Sequence, residues 1–291
     1  MDIGKVGMWF FLDAMSAPDS ASFAKTVEKA GYKALWIPEA IGREPFAHAA
    51  YLLSHTERLN IATGIANIWA RDAITMSAAS KTVAELSGNR FMLGIGVSHK
   101  PLVSNLRGHN YDKPYSFMKE YLPKMKTALY GAPKPSEEVP VVIAALHPKM
   151  LALAAAETNG THTYFVPPEH TAKARAAIGP KPMICAAQAV ILETDAAKAR
   201  SAARGYMKTY VPRLPNYTNN LKALGWADAE FENGCSDKLV DAIVAWGTED
   251  KIRDRIDAHL KAGATHVCIL PIRADNPLLP DLRAVEAFGP K

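Results

Sequence analysis

The sequence predicts a single (β/α)8 barrel of the TIM type over residues 1–291. Two observations predict this class. Short apolar segments recur at intervals of roughly thirty residues, which is the length of one βαβ unit. Between them lie amphipathic segments that begin at helix-capping residues. Eight such strand–helix units fit a closed barrel better than an open, doubly wound sheet or two smaller domains.

Each apolar segment is predicted to form one strand. The eight predicted strands cover residues 6–11, 34–37, 60–65, 91–95, 141–145, 163–166, 183–192 and 266–270. Helices predicted from apolar spacing cover residues 20–30, 148–158, 169–178 and 196–210. Asp72, Thr194 and Thr248 are predicted N-caps, because their side chains can accept hydrogen bonds from free amides of the first turn. Gly160 is predicted to end the helix over 148–158.

Two long segments interrupt the strand–helix order. Residues 97–114 follow the fourth predicted strand, and residues 211–236 lie between the seventh and eighth. Structured insertions on a barrel are often lids or substrate walls. A dimer contact or an insertion particular to one family is the competing interpretation, and the sequence favours neither.

Charge and cysteine content exclude several functional classes. The net charge is +5, with basic and acidic residues interspersed, so neither nucleic acid nor a membrane surface is an expected partner. The three cysteines are widely spaced and form no metal-ligand motif, so we expect no metal site and reduced thiols in the cytoplasm. The N-terminal apolar stretch is predicted to be a strand, because it lacks the features of a signal peptide.

In a barrel of this type the active site lies at the carboxyl ends of the strands, so the residues there are the candidates. His99 and Glu39 are the best-placed proton carriers, since histidine changes charge near neutral pH. A single loop histidine is more often an ordinary surface residue, so both interpretations stay open. The GIG sequence at 94–96 indicates close backbone packing or a flat ligand, and it is too short for a dinucleotide motif.

The segment LHPKM at 146–150 is a candidate anion site. Pro148 suits the first position of a helix, whose free amides and the neighbouring Lys149 can bind a phosphate. An ordinary strand–helix turn with a solvated lysine is the competing interpretation.

Five segments resemble one superfamily in their order along the chain. They are TGIANIWARDA at 63–73, SGNRFMLGIGVSH at 87–99, ALHPKMLALAAAETNGTHTYFVPPEH at 145–170, LPNYTNNLKALGW at 214–226 and SDKLVDAIVAWGTEDKI at 236–252. The chain resembles the bacterial luciferase-like superfamily of (β/α)8 flavin and deazaflavin enzymes. Within it, the resemblance is greatest to actinobacterial oxidoreductases that use coenzyme F420.

The resemblance implies roles for individual residues. It implies a cis peptide at Gly64–Ile65 behind the deazaflavin ring, and catalytic roles for His99 and Glu39. The implied cofactor-binding residues are Glu39, Gly64, Ile65, Ala66, Asn67, Ser98, Ala145, Leu146, His147, Pro148, Lys149, Met150, His162 and Tyr164. The predicted substrate residues are Trp9, Phe10, Trp69, Gln188 and Tyr217.

One departure narrows the implied function. Relatives that oxidise sugar phosphates carry a histidine directly after the acid that follows strand two, and this chain has Ala40 there. Oxidation of glucose 6-phosphate is therefore not expected, and His99 is the candidate to replace the missing histidine.

The expected activity is hydride transfer between C5 of F420 and a small hydrophobic organic substrate. One alternative is an FMN-dependent monooxygenase that uses reduced flavin and O2. A second alternative is a cofactor-binding barrel without turnover. The resemblance also implies a homodimer and a partner enzyme that reduces F420 or flavin.

Overall fold

A computed structural model describes residues 1–290 as a closed barrel of eight parallel strands, with helices between them. The strands are β1 (Val6–Trp9), β2 (Ala34–Ile37), β3 (Asn60–Thr63), β4 (Ala66–Asn67), β5 (Phe91–Gly96), β6 (Val141–Ala144), β7 (Gly160–Thr163), β8 (Met183–Ile191), β9 (Val244–Trp246) and β10 (His266–Pro271). The predicted (β/α)8 barrel is confirmed.

The helices surround the strands. They are α1 (Ala17–Lys29), α2 (Pro45–Ser54), α3 (Ala73–Leu86), α4 (Pro114–Lys126), α5 (Pro148–Glu157), α6 (Pro168–Ile178), α7 (Ala196–Met207), α8 (Pro215–Lys222), α9 (Asp237–Ile243), α10 (Glu249–Lys261) and α11 (Leu282–Ala287). A π-helical turn (Pro101–Leu106) lies in the first predicted insertion, and the second contains α8 and a 3-10 turn (Asp228–Gly234).

The barrel closes because β10 pairs in parallel with both β1 and β8. The short strands β4 and β9 lie outside this ring and pair with β5 and β8. Successive strand residues face opposite sides of a sheet. Thus Trp9 and Trp36 pack in the barrel interior among small side chains, whereas their neighbours Met8 and Leu35 belong to the layer under the helices.

The predicted helix caps are confirmed at two of three positions. Asp72 accepts hydrogen bonds from the amides of Ile74 and Thr75, and Thr248 caps α10. Thr194 was the wrong residue for the third cap. The next residue, Asp195, caps α7 through its carboxylate.

The sixth barrel strand lies three residues earlier than predicted. It begins at Gly160, which the sequence had indicated as a helix end, and it finishes at Thr163. The glycine is needed for close packing, because a Cβ atom there would lie 2.2 Å from the Met183 carbonyl oxygen on β8.

Candidate active site

A cavity of about 630 Å³ opens at the carboxyl ends of the barrel strands, and both insertions contribute to its wall. Fifteen of the predicted site residues line it. They are Trp9, Glu39, Gly64, Ile65, Ser98, His99, Ala145, Leu146, His147, Pro148, Lys149, Met150, His162, Tyr164 and Tyr217. Strand geometry and loop connection thus bring together residues from most of the chain.

Five predicted residues do not line this cavity. Phe10 packs against Phe23 in the layer below the helices, since it points away from the barrel interior that Trp9 faces. Gln188 is fully buried and accepts a hydrogen bond from His259 on α10. Phe11 lines the cavity in place of its neighbour Phe10.

The other three lie in the segment after β3. Ala66 is buried in the core, and Asn67 is 3% exposed with its side-chain oxygen bound to the Trp69 amide. Trp69 stacks on Phe117 of α4 at 4.0 Å and donates its indole hydrogen to the Val97 carbonyl. These residues position the loop and the first insertion, and their positions give no support to the predicted ligand contacts.

Glu39 is held in a buried ion pair. Its two carboxylate oxygens accept hydrogen bonds from the Arg71 guanidinium at 2.7 and 3.0 Å. One of them also accepts a hydrogen bond from the Asn67 backbone amide at 2.7 Å. Both side chains are at most 10% exposed. The pair fixes the segment after β3 to the segment after β2, so the structure shows Glu39 in an anchoring arrangement.

The segment after β3 contains a cis peptide between Gly64 and Ile65, as predicted. Trp9 donates its indole hydrogen to the Gly64 carbonyl, and a Cβ on Gly64 would lie 2.5 Å from that indole nitrogen. Gly94 and Gly96 of the GIG sequence serve close packing, because Cβ atoms there would meet the Thr63 carbonyl oxygen and the Ile65 side chain.

His99 and Tyr217 join the two insertions across the cavity. The His99 Nε2 atom and the Tyr217 hydroxyl oxygen are 3.3 Å apart. Burial lowers the pKa of His99 to about 4, so its imidazole is neutral at neutral pH. Burial also raises the pKa of Tyr217, which keeps the phenol protonated.

His162 lies deep in the cavity wall. Its ring stacks on Trp36 at 4.9 Å, and its Nδ1 atom is 3.1 Å from the Cys185 carbonyl oxygen. Since a carbonyl only accepts, Nδ1 carries the hydrogen and Nε2 is an acceptor. Burial lowers the pKa of His162 to about 4, so this acceptor is retained at neutral pH.

We use the term α5 end for residues 145–150, where the N-terminus of α5 borders the cavity. His147 occupies the N-cap position without a side-chain hydrogen bond to the first turn, and Pro148 follows it. The first-turn amides therefore lack a side-chain acceptor, and Lys149 beside them is exposed. This is the chemistry that an anionic group requires.

We use the term tyrosine cluster for five aromatic residues: Tyr164, Phe165, Tyr206, Tyr210 and Tyr217. The centroids of neighbouring rings in this cluster lie 4.3–6.5 Å apart. Three of the tyrosines line the cavity. Tyr206 and Tyr210 are not among the predicted site residues. The signal for them was the density of tyrosine around the second insertion, which helical spacing alone does not assign to a cavity.

The described residues 1–290 contain no group of three or more His, Cys, Asp or Glu side chains arranged to hold a metal ion. Over the same residues, none of the helices is long and apolar enough to cross a membrane.

The chain matches one known protein family. The model of the luciferase-like monooxygenase family matches residues 7–266. This chain belongs to that family. It is also 24% identical to a provisionally named coenzyme F420-dependent oxidoreductase of Mycobacterium tuberculosis (strain ATCC 25618 / H37Rv). The alignment covers 91% of this chain and 93% of that protein.

Two solved structures share the fold. An F420-dependent secondary alcohol dehydrogenase in complex with an F420–acetone adduct superposes with a TM-score of 0.79 at 15% identity, covering 98% of this chain and 97% of that one. The oxygenating constituent of 3,6-diketocamphane monooxygenase from Pseudomonas putida, in complex with FMN, superposes with a TM-score of 0.68 at 14% identity. That superposition covers 100% of this chain and 98% of the other. Solved proteins with this fold thus include one that is named F420-dependent and one that was solved in complex with FMN.

Proposed function

We propose that this protein is a coenzyme F420-dependent oxidoreductase that acts on a small, uncharged and hydrophobic organic substrate. The observation that carries the proposal is the polarity of the cavity. Its α5 end offers free amides and Lys149, whereas most of the rest of its wall is apolar or aromatic, and its one carboxylate, Glu39, is paired with Arg71. A molecule with a phosphate at one end and a flat ring at the other fits this arrangement.

The residues present fit a deazaflavin with a phosphate-bearing tail. The α5 end would hold the phosphate. Small residues at Gly64, Ala144 and Ala145 leave room for a flat ring, and Ile65 adds an apolar contact. When bound, the deazaflavin supplies or accepts a hydride at C5. Glu39 and Arg71 would hold the segment behind the ring, and His99, in contact with the Tyr217 hydroxyl, acts on the substrate through that phenol.

Cofactor choice is tested by fluorescence quenching of purified protein with F420 and with FMN. We expect saturable binding of F420 and much weaker binding of FMN. Tight binding of FMN without binding of F420 would reject this proposal and favour the FMN-dependent monooxygenase, the alternative that the comparison with the FMN-bound structure supports.

Turnover is tested separately with reduced F420 and a panel of enones, quinones and ketones. A protein that binds F420 but transfers no hydride to the panel would favour the second alternative, a cofactor-binding barrel. The proposal also includes a homodimer in the cytoplasm, served by a separate F420-reducing enzyme. Sedimentation of the purified protein as a monomer would contradict the first part.

A further inference from the structure

The tyrosine cluster contains two phenols that differ from the others lining the cavity, because each has a polar side chain behind it. The Tyr206 hydroxyl donates to the Tyr164 hydroxyl oxygen at 2.7 Å. The His99 imidazole contacts the Tyr217 hydroxyl at 3.3 Å. Tyr111, also in the cavity wall, instead donates to the Ser98 carbonyl.

The hydrogen of Tyr164 is left free for a ligand. A phenol has one hydrogen to donate and an oxygen that accepts. Since the Tyr164 oxygen accepts from Tyr206, its own hydrogen remains, and it has no protein acceptor among the hydrogen bonds of residues 1–290. When His99 donates its Nε2 hydrogen to Tyr217, the Tyr217 hydrogen is free in the same way. The centroids of the Tyr164 and Tyr217 rings are 6.3 Å apart, so both hydroxyl donors border one part of the cavity.

We propose that Tyr164 and Tyr217 form an oxyanion site for the carbonyl oxygen of an α,β-unsaturated ketone. This inference rests on the proposed function and names its substrate class. The reduced deazaflavin is the hydride donor. The β-carbon of the enone gains the hydride, the electron pair of the C=C bond moves to give an enolate, and its oxygen accepts hydrogen bonds from both phenols. The α-carbon then takes a proton from solvent, which gives the saturated ketone.

The cluster suits a substrate oxygen that becomes negatively charged only during the reaction. Burial raises the pKa of both phenols, so both stay protonated at neutral pH and each keeps its hydrogen for the enolate oxygen. No charged side chain belongs to the cluster, which suits a substrate that is neutral until the hydride arrives. Uncharged donors aimed at a developing charge contribute mainly to the transition state.

Tyr206 and His99 act through the two phenols and are positioning residues. In this assignment His99 contacts Tyr217 and orients its hydrogen, whereas Tyr164 and Tyr217 contact the substrate. Loss of a positioning residue should lower kcat and leave substrate binding nearly unchanged. A His99→Gln variant, which keeps a side-chain N–H donor, should retain more activity than His99→Ala.

The test is reduction of 2-cyclohexen-1-one by reduced F420. We expect Tyr164→Phe and Tyr217→Phe each to lower kcat by about 100-fold, which is typical for loss of one oxyanion donor. The Kd of 2-cyclohexen-1-one for the complex with oxidised F420 should change little. Tyr210→Phe is the matched comparison, because Tyr210 lies in the same cluster without a polar side chain bonded to its hydroxyl, and its effect should be much smaller.

The outcomes separate this inference from the proposed function. Equal effects of the three Tyr→Phe substitutions on kcat, or a weaker Kd with kcat unchanged, would overturn the oxyanion site. Wild-type protein that binds F420 but does not reduce 2-cyclohexen-1-one would overturn it while leaving cofactor binding intact. Wild-type protein that does not bind F420 would overturn the proposed function as well. F420 affinity of each variant, measured first, shows that it is folded.

Discussion

The α5 end and the tyrosine cluster border the same cavity but present different chemistry to a ligand. The α5 end presents backbone amides and one flexible, exposed lysine. The tyrosine cluster presents buried and half-buried, uncharged phenols, two of which are hydrogen-bonded to a second polar side chain. The first arrangement suits a charge that is always present, such as a phosphate, and the second suits a charge that forms only during reaction.

The difference teaches how one cavity can bind a cofactor tightly and still discriminate among substrates. Ground-state binding energy is supplied where the ligand is anionic from the start. In the proposed mechanism, transition-state stabilisation is supplied where the wall is uncharged. Both regions are built on the same barrel, whose interior includes buried histidines.

The largest expected effect comes from protonating buried histidines of the barrel interior. His162 and His266 are buried, and their pKa values are lowered from 6.5 to about 4. Between these values the unfolded chain binds more protons than the folded one, so stability is complete above pH 6.5 and is lost as pH falls towards 4. Each imidazole contributes about 1.4 kcal/mol per pH unit in this range.

Urea unfolding at several pH values measures this loss. His266→Gln should reduce the slope of unfolding free energy against pH by about one proton. A free energy of unfolding that is constant between neutral pH and pH 5 would show that the neutral form of these histidines contributes nothing to stability.

The next effect concerns the Glu39–Arg71 ion pair, which fixes the wall that the two ends share. Glu39→Ala leaves the buried Arg71 guanidinium with Glu44 as its remaining carboxylate partner, so we expect a loss of about 3 kcal/mol in unfolding free energy. Asp275→Ala, which breaks an exposed pair with Arg273, is the control and should cost less than about 1 kcal/mol. Similar losses for the two variants would show that burial of the Glu39 pair is unimportant.

A smaller effect separates the α5 end from the tyrosine cluster. Lys149→Ala should weaken F420 binding by about tenfold, or about 1.4 kcal/mol, and added salt should reduce the difference from wild type. Lys181→Ala removes an exposed lysine outside the cavity wall and serves as the control. If Tyr217→Phe weakens F420 binding as much as Lys149→Ala does, the α5 end and the tyrosine cluster do not differ in the proposed way.

The smallest expected effect tests the helix that carries Tyr206. Asp195 caps α7, so Asp195→Ala should cost about 1 kcal/mol of unfolding free energy. Thr194→Ala, one residue earlier, should be nearly neutral. Equal costs would mean that the cap contributes nothing particular to this helix.

Much of the fold could be predicted from sequence because its signals are local. The apolar strands, the caps at Asp72 and Thr248, and the free amides of α5 each depend on residues close together in the chain. The three-residue error at β7 arose because a glycine is compatible with a helix end and with close strand packing. Only the neighbouring strand, through Met183, distinguishes the two.

The sequence by itself determined the barrel, the edge at which a site forms and the family resemblance. Strand periodicity and motif order can be read from the sequence without knowing the tertiary contacts. Only the tertiary structure decided which side chains face the cavity. It placed Phe11 there instead of Phe10, turned Gln188 towards α10, and paired Glu39 with Arg71. It also joined His99 to Tyr217. Those contacts depend on strand register and on loops more than 100 residues apart, which local pattern does not encode.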